Sequence, residues 1–287
     1  MPVFVNHNGT IYQNNETILM ADNKSYRYGY GLFETMKLIN GKIILEELHF
    51  ERFFSSLALM KITLPESCTA AKFHTEIVEL CKKNLCEPRA RIRLSVYPGN
   101  GGLYDENKNS FYLIETWPLE ETVNRLNVNG LLIDVFDDAK KSCDTFSNLK
   151  SANYLPYAMA ALHAKKNNLN DCLVLNTNNR VCDSTISNIF FIKDGTIFTP
   201  PLTEGCVNGV MRRYLVKKLQ SDGPRLQATS NKLQEVPLTI THVEDADEVF
   251  LTNAIYGIRW VKRFRNKSYS SVLTVSLYDQ LIAPLFS

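Results

Sequence analysis

No apolar run in this 287-residue chain reaches the roughly 20 residues that a bilayer-crossing helix needs, so nothing points to a membrane. The segment Met1–Thr10 has no basic stretch followed by an apolar core and a small-residue cleavage site, and a cytoplasmic protein is the expectation. Excess charge of one sign is also lacking: the net charge is +2, with acidic and basic residues interleaved, which leaves no electrostatic footprint for nucleic acid. The most basic stretch, Arg259 to Arg263 with Arg265, is punctuated by Trp260, Val261 and Phe264 and reads as a strand end or surface edge. The seven cysteines form no CxxC pair and no cysteine–histidine group at zinc spacing, so reduced, packed thiols are expected and no metal site. Repeats and low-complexity tracts are absent, which removes solenoid and tail-based functions.

What is present is ordinary globular material, 45% hydrophobic and 22% charged. A chain of this length is expected to form two domains, here 1–118 and 127–287 with a linker at 119–126 around the W-P-L-E-E-T stretch. Short β-branched and aromatic runs at Val3–Val5 and Thr10–Tyr12 flank an Asn-Gly turn and predict a hairpin; a second is predicted within Arg27 to Leu45. Gly29 and Gly31 suit a tight turn. Amphipathic helices are predicted over Glu46–Met60 and Ala70–Asn84, followed by strands over Ala90–Tyr97 and Ser110–Thr116. The second half alternates strands (Leu131–Phe136, Asp171–Leu175, Ile186–Ile192, Ile197–Thr199) with helices, one capped by Asn208, and its final strand is Asp247–Thr252.

Lys150 follows a polar, turn-prone segment (Lys140, Lys141, Ser142, Cys143, Asp144) and precedes the helical pattern Leu155, Ala158, Met159, Ala161, Leu162. The expectation is that it opens that helix, sharing the first turn's face with Tyr154 four residues on. Taken alone, such a lysine is a solvated side chain, since lysine is seldom buried. His49 and Arg52, three apart on a helix, share a face, and the arginine fork fits a phosphate or carboxylate. Arg91 and Arg93 on one strand repel each other unless an anion lies between them. The Asn208-Gly209-Val210-Met211 helix start and the strand end at Thr252-Asn253-Ala254 both offer backbone N–H groups to a phosphate.

Six motifs run in order: Y-G-Y-G-L-F-E-T, H-F-E-R, N-L-K-S-A-N-Y-L, D-S-T-I-S-N-I-F, T-P-P-L-T-E-G-C-V-N-G-V-M-R and A-D-E-V-F-L-T-N-A. Together they resemble the class IV aminotransferases, the fold-type IV pyridoxal phosphate enzymes, over nearly the whole chain. The resemblance implies an α/β (α+β) fold with a small N-terminal α/β domain and a larger C-terminal β-barrel-like domain flanked by helices, with pyridoxal phosphate between them. It implies Lys150 as the Schiff-base lysine and proton shuttle, and Arg52 at the cofactor phosphate with His49 beside it. Asp183 stands where the family has a glutamate against the pyridinium nitrogen. Tyr154 resembles the tyrosine at the cofactor's phenolic oxygen, although its spacing from the lysine is one shorter than in branched-chain enzymes. Asn188, Gly209, Val210, Met211, Thr252 and Asn253 complete the implied cofactor set. Phe33, Arg91, Arg93 and Tyr97 are the implied substrate residues, and which of the two arginines faces substrate stays open.

The strings N-G-V-M-R, I-S-N-I-F and F-E-T are closer to 4-amino-4-deoxychorismate lyases than to branched-chain enzymes. The resemblance therefore implies a small-molecule amino substrate, favouring a lyase that releases pyruvate and 4-aminobenzoate. The alternative is an aminotransferase passing an amino group from a branched-chain or D-amino acid to a 2-oxo acid. A homodimer, with the active site near its interface, is implied as well.

Overall fold

Asn8 and Gly9 both take positive φ, 52° and 86°, the pair that a two-residue hairpin turn demands, and they fold β1 (Phe4–His7) onto β2 (Thr10–Gln13). The same device, Asn40-Gly41, joins β3 (Leu32–Ile39) to β4 (Lys42–Ile43). The computed structural model describes residues 2–16, 18–105, 109–221 and 233–286. Between the two hairpins lies a helix the sequence pattern did not predict, α1 (Lys24–Tyr28). Five residues are too few to show a period, and it is held by the Asn23 side chain, which accepts from the N–H groups of Ser25 and Tyr26.

The chain divides into two units, 1–122 with 150–153, and 123–149 with 154–287. The four residues from Lys150 to Asn153 thus group with the first unit, although they fall inside the sequence range expected for the second domain. In the first unit, β5 (Arg89–Pro98) and β6 (Ser110–Pro118) complete an antiparallel sheet of order β2-β1-β6-β5-β3-β4. One face carries Leu32, Met36, Leu38, Ile92, Leu94 and Ile114. It is covered by the apolar stripes of α2 (Glu46–Leu59) and α3 (Ala70–Lys83), with Phe53 and Phe73 meeting edge to face at 5.6 Å. The opposite face carries Phe33, Arg91, Arg93, Ser95 and Tyr97.

The second unit begins with β7 (Leu131–Lys141), α4 (Leu155–Lys166), β8 (Asp171–Asn176) and β9 (Val181–Ser184). Next come β10 (Asn188–Lys193), β11 (Thr196–Thr199), α5 (Val210–Ser221), β12 (Leu233–Glu235) and α6 (Ile240–Asp245). It closes with β13 (Glu248–Asn253), β14 (Gly257–Phe264), β15 (Lys267–Ser268) and α7 (Val272–Leu277). The nine strands form one curled, half-barrel sheet of order β12-β11-β10-β13-β14-β7-β8-β9, with β15 paired to β14. β8 is buried along its whole length and β10 and β13 at all but their last residue, which is why these strands read as continuous apolar runs.

Two expectations are corrected here. β13 is not the final strand: β14 lies between β13 and β7, fixed by Asn127, which accepts from the Trp260 N–H, and the basic stretch Arg259–Arg263 runs to its end, with Lys262 and Arg263 exposed. Lys140 and Lys141 are not in a turn. A register shift against β8 between Phe136 and Lys140 bulges β7 and carries it on to Lys141, and a bulge leaves no period to read. Among the described residues no helix is long and apolar enough to cross a membrane.

α7 hangs on one buried carboxylate: Glu248 accepts from the N–H groups of Leu273 (2.9 Å) and Thr274 (2.8 Å) and from the Thr274 hydroxyl (2.7 Å). Glu248→Ala leaves those donors buried without an acceptor, and urea unfolding is expected to show a loss of about 3 kcal/mol. An unchanged midpoint would show that α7 does not depend on this cap.

Candidate active site

Pro156 has no N–H to give to a preceding turn, and α4 starts at Leu155 with Tyr154 in the cap position, so Lys150 lies outside the helix. Lys150 therefore does not open the helix, and the first-turn face it was expected to share with Tyr154 does not exist. Residues 150–152 pair instead with the start of β3. Phe33 N–H donates to the Lys150 carbonyl (3.0 Å), Ala152 N–H donates to the Gly31 carbonyl (2.8 Å), and Leu32 faces Ser151. A Cβ on Gly31 would lie 2.9 Å from the Val96 carbonyl oxygen, so glycine there lets the chain entering β3 pass close to β5.

The lysine amine is thereby set over the Phe33 ring, 4.7 Å from its centroid, and the Arg93 guanidinium lies 3.6 Å from the centroid of the same ring. Arg93 also donates to the Ser95 hydroxyl at 3.1 Å. Arg91 and Arg93 have the same parity and share the Phe33 face, so distance decides between them. Arg91 lies over Trp117, whereas Arg93 touches the ring that Lys150 touches. Tyr97 stacks on His7, and its buried hydroxyl has no partner among the described residues.

Arg52 is buried and two of its nitrogens are spent on Glu34, Nε to Oε1 at 2.7 Å and Nη2 to Oε2 at 2.5 Å. His49 Nδ1 completes the group at 2.7 Å from Glu34 Oε2, while its buried Nε2 has no partner among the described residues. Burial alone would raise the Glu34 carboxyl, but the Arg52 charge and the bond to His49 outweigh it and hold it at about 2. Burial lowers His49 against the pull of Glu34, and the Arg52 and Lys150 charges lower it further. Sequence reasoning missed Glu34, although it lies in the F-E-T string.

In the second unit, Asp183 is 2% exposed and carries four donors. Oδ2 accepts from the Tyr157 hydroxyl (2.7 Å), Val207 N–H (3.0 Å) and Lys141 Nζ (3.1 Å); Oδ1 accepts from Asn188 Nδ2 (2.9 Å). Asn188 also donates to the Val207 carbonyl at 2.8 Å, which ties the acid to the turn entering α5. The first helical residue is Val210, so Gly209, not Asn208, holds the cap position. A Cβ on Gly209 would overlap Asn188 Oδ1. The helix start then exposes the N–H groups of Val210 and Met211, which have no intrahelical acceptor. Directly across the ladder from Asn188 is Thr252, whose buried hydroxyl is without a partner among the described residues.

This orphan hydroxyl, the helix start and the carboxylate form a set that accepts a phosphorylated heterocycle, so the residues fit pyridoxal phosphate. Asn253 uses its side-chain oxygen to accept from the N–H groups of Ile255 and Tyr256, which makes it a turn former. Tyr154 donates to the Thr185 carbonyl at 2.9 Å; Tyr157, unmarked in the sequence reading, is the tyrosine that reaches the acid. Lys141 was hidden by the bulge.

With the geometry in place, comparison with known proteins is informative. The amino-transferase class IV family model matches residues 31–264. The chain belongs to that family. A relative from Vibrio harveyi, aminodeoxychorismate lyase, is 26% identical over 246 residues, 85% of this chain and 86% of its own. D-alanine aminotransferase of Listeria monocytogenes serotype 1/2a is 24% identical over 272 residues, 90% and 86% of the two chains. Among solved structures, a putative 4-amino-4-deoxychorismate lyase from Legionella pneumophila superposes with a TM-score of 0.78 at 25% identity, covering 92% of this chain and 95% of that one. The fold is the mixed α/β fold-type IV, and the family member described here is an enzyme, a pyridoxal-phosphate-dependent lyase or transaminase.

The Glu34 group sets a pH dependence. A carboxyl held at about 2 in the fold stabilises it fully above 4.5 and loses that stabilisation as pH falls towards 2; a lowered His49 begins to cost stability below 6.5. Glu34→Gln leaves Arg52 buried without its counter-charge. Urea titrations across pH are expected to show a loss of about 3–5 kcal/mol at pH 7 and a flatter curve below pH 4.5. Wild-type stability at pH 7 would refute this.

Proposed function

We propose that this enzyme is a pyridoxal-phosphate-dependent lyase acting on 4-amino-4-deoxychorismate and releasing pyruvate and 4-aminobenzoate. The observation that carries the reading is the Phe33 ring flanked by the Lys150 amine and the Arg93 guanidinium. An aromatic ring beside one amine and one cation suits a carboxylated cyclic amine better than a short aliphatic one. Relatives named aminodeoxychorismate lyase, at 26% and 25% identity, support the same choice.

Pyridoxal phosphate, when bound, supplies the electron sink for the pair left when a bond at the amine-bearing carbon breaks. The remaining work falls to side chains. Lys150 holds the cofactor, then its Nζ takes the proton from the amine-bearing ring carbon. The electron pair left behind forms a ring double bond as the enolpyruvyl C–O bond breaks, the six-membered ring becomes aromatic, and the proton on Lys150 Nζ passes to the methylene carbon of the departing enolate, which leaves as pyruvate. Arg93 binds the ring carboxylate beside Phe33. Asp183 receives the cofactor's ring nitrogen, while Thr252 and the N–H groups of Val210 and Met211 serve its phosphate. We retain a homodimer within this proposal; the exposed apolar side chains of Leu155, Met159 and Leu162 on α4 support it.

Purified enzyme loaded with pyridoxal phosphate is expected to release pyruvate and 4-aminobenzoate in equal amounts from aminodeoxychorismate with no 2-oxo acid present. Lys150→Ala should lower the rate by at least about a thousandfold and remove the visible absorbance. No release, with turnover of D-alanine or leucine plus 2-oxoglutarate, would assign the enzyme to the transaminases.

A further inference from the structure

Cys81 and Cys86 are drawn together by the way α3 ends. Leu85 takes the left-handed conformation just past the helix, with φ 55°, and two backbone bonds close the turn. Leu85 N–H donates to the Lys82 carbonyl at 3.1 Å, and Cys86 N–H donates to the Cys81 carbonyl at 3.0 Å. A helix end of this kind brings the first and last side chains of the turn into contact; here both are thiols, buried in the first unit's core and hydrogen-bonded to each other. The backbone bond between them keeps their Cα atoms within about 7 Å, the span that a disulfide bridges. The turn is also held from both sides. Asn84 exchanges two hydrogen bonds of 2.9 Å with the Phe4 backbone, and its Nδ2 reaches Thr116 Oγ1 at 2.9 Å; Cys86 Sγ lies 3.6 Å from that same oxygen.

The two thiols are not alike. The hydrogen bond from Cys81 lowers Cys86 to about 7, with burial opposing and Thr116 assisting, while the same bond and burial raise Cys81. Leu85, between them, is 87% exposed in a conformation leucine seldom adopts, so its side chain adds no burial that would resist opening of the turn over Cys86. We propose that Cys81 and Cys86 form a reversible oxidation site, closed to a disulfide by a hydroperoxide and reopened by a thiol reductant. With hydrogen peroxide, the Cys86 sulfur attacks one oxygen and the O–O bond breaks, leaving a sulfenic acid on Cys86 and a hydroxide that takes up a proton as water. The Cys81 sulfur then attacks the Cys86 sulfur, the S–O bond breaks, and the hydroxyl leaves with the Cys81 proton as a second water. Two thiols thereby give two electrons and two protons to one peroxide. The bridge ties the last turn of α3 to the residues leading into β5, the strand of Arg91 and Arg93, and it is independent of the cofactor reading.

The test treats the enzyme with hydrogen peroxide, alkylates the remaining thiols in denaturant and digests with trypsin, which cuts after Lys82 and Lys83 between the two cysteines. Peptides 73–82 and 84–89 are expected as a linked pair about 2 Da lighter than the two thiol peptides together, and dithiothreitol added before alkylation is expected to separate them. In Cys81→Ala the sulfenic acid on Cys86 has no thiol to resolve it and should be captured by dimedone, whereas Cys86→Ala should leave Cys81 unlabelled. Recovery of both cysteines alkylated, at a peroxide dose that oxidises the exposed Cys143, overturns the proposal. So does a bridge from either one to another cysteine, or sulfinic acid on Cys86 with Cys81 free. Should either variant fail to fold, the linked peptide pair of the wild type decides alone.

Discussion

Two backbone hydrogen bonds, Phe33 N–H to the Lys150 carbonyl and Ala152 N–H to the Gly31 carbonyl, are the constraint on which the chemistry of the first unit depends. They take a short extended segment that belongs to no regular element of its own and fix it to a strand whose other face is locked into the helix-covered core. A lysine side chain has four rotatable bonds, and anchoring its backbone on a rigid strand limits how far the amine can stray from the Phe33 ring. Pro156 belongs to the same arrangement, since it keeps α4 from starting before Leu155.

In each unit a buried carboxylate organises the candidate site residues around it. Glu34 gathers Arg52 and His49; Asp183 gathers Lys141, Tyr157, Asn188 and the Val207 N–H. Removing such charges from water is costly, and an apolar replacement of equal volume would hold the fold at least as well. Their value is directional. Glu34 fixes the arginine fork, and Asn188 links Asp183 to the turn that opens α5, so one side chain couples the acid to the helix start.

Much of this was legible in the sequence, for identifiable reasons. Asn-Gly and Asp-Gly pairs between β-rich runs marked the hairpins, and amphipathic periods marked α2 and α3, because those signals are local. The ordered motifs pointed to Lys150, Asp183 and Gly209. What escaped depended on tertiary pairing. α1 has too few residues to show a period, and the β7 bulge broke the alternation before Lys141. The relation of Lys150 to β3 joins residues more than a hundred positions apart, which no window of sequence contains. The bond of Tyr157 to Asp183 likewise joins residues 26 positions apart on different elements, which no local period reveals.

The central claim is that Lys150 carries the cofactor. Borohydride reduction of the loaded enzyme followed by peptide mass spectrometry tests it most directly. The account predicts a phosphopyridoxyl adduct on the peptide containing Lys150 and on no other lysine. An adduct on a different lysine with Lys150 unmodified, or none under conditions where the bound cofactor is visible, would contradict it.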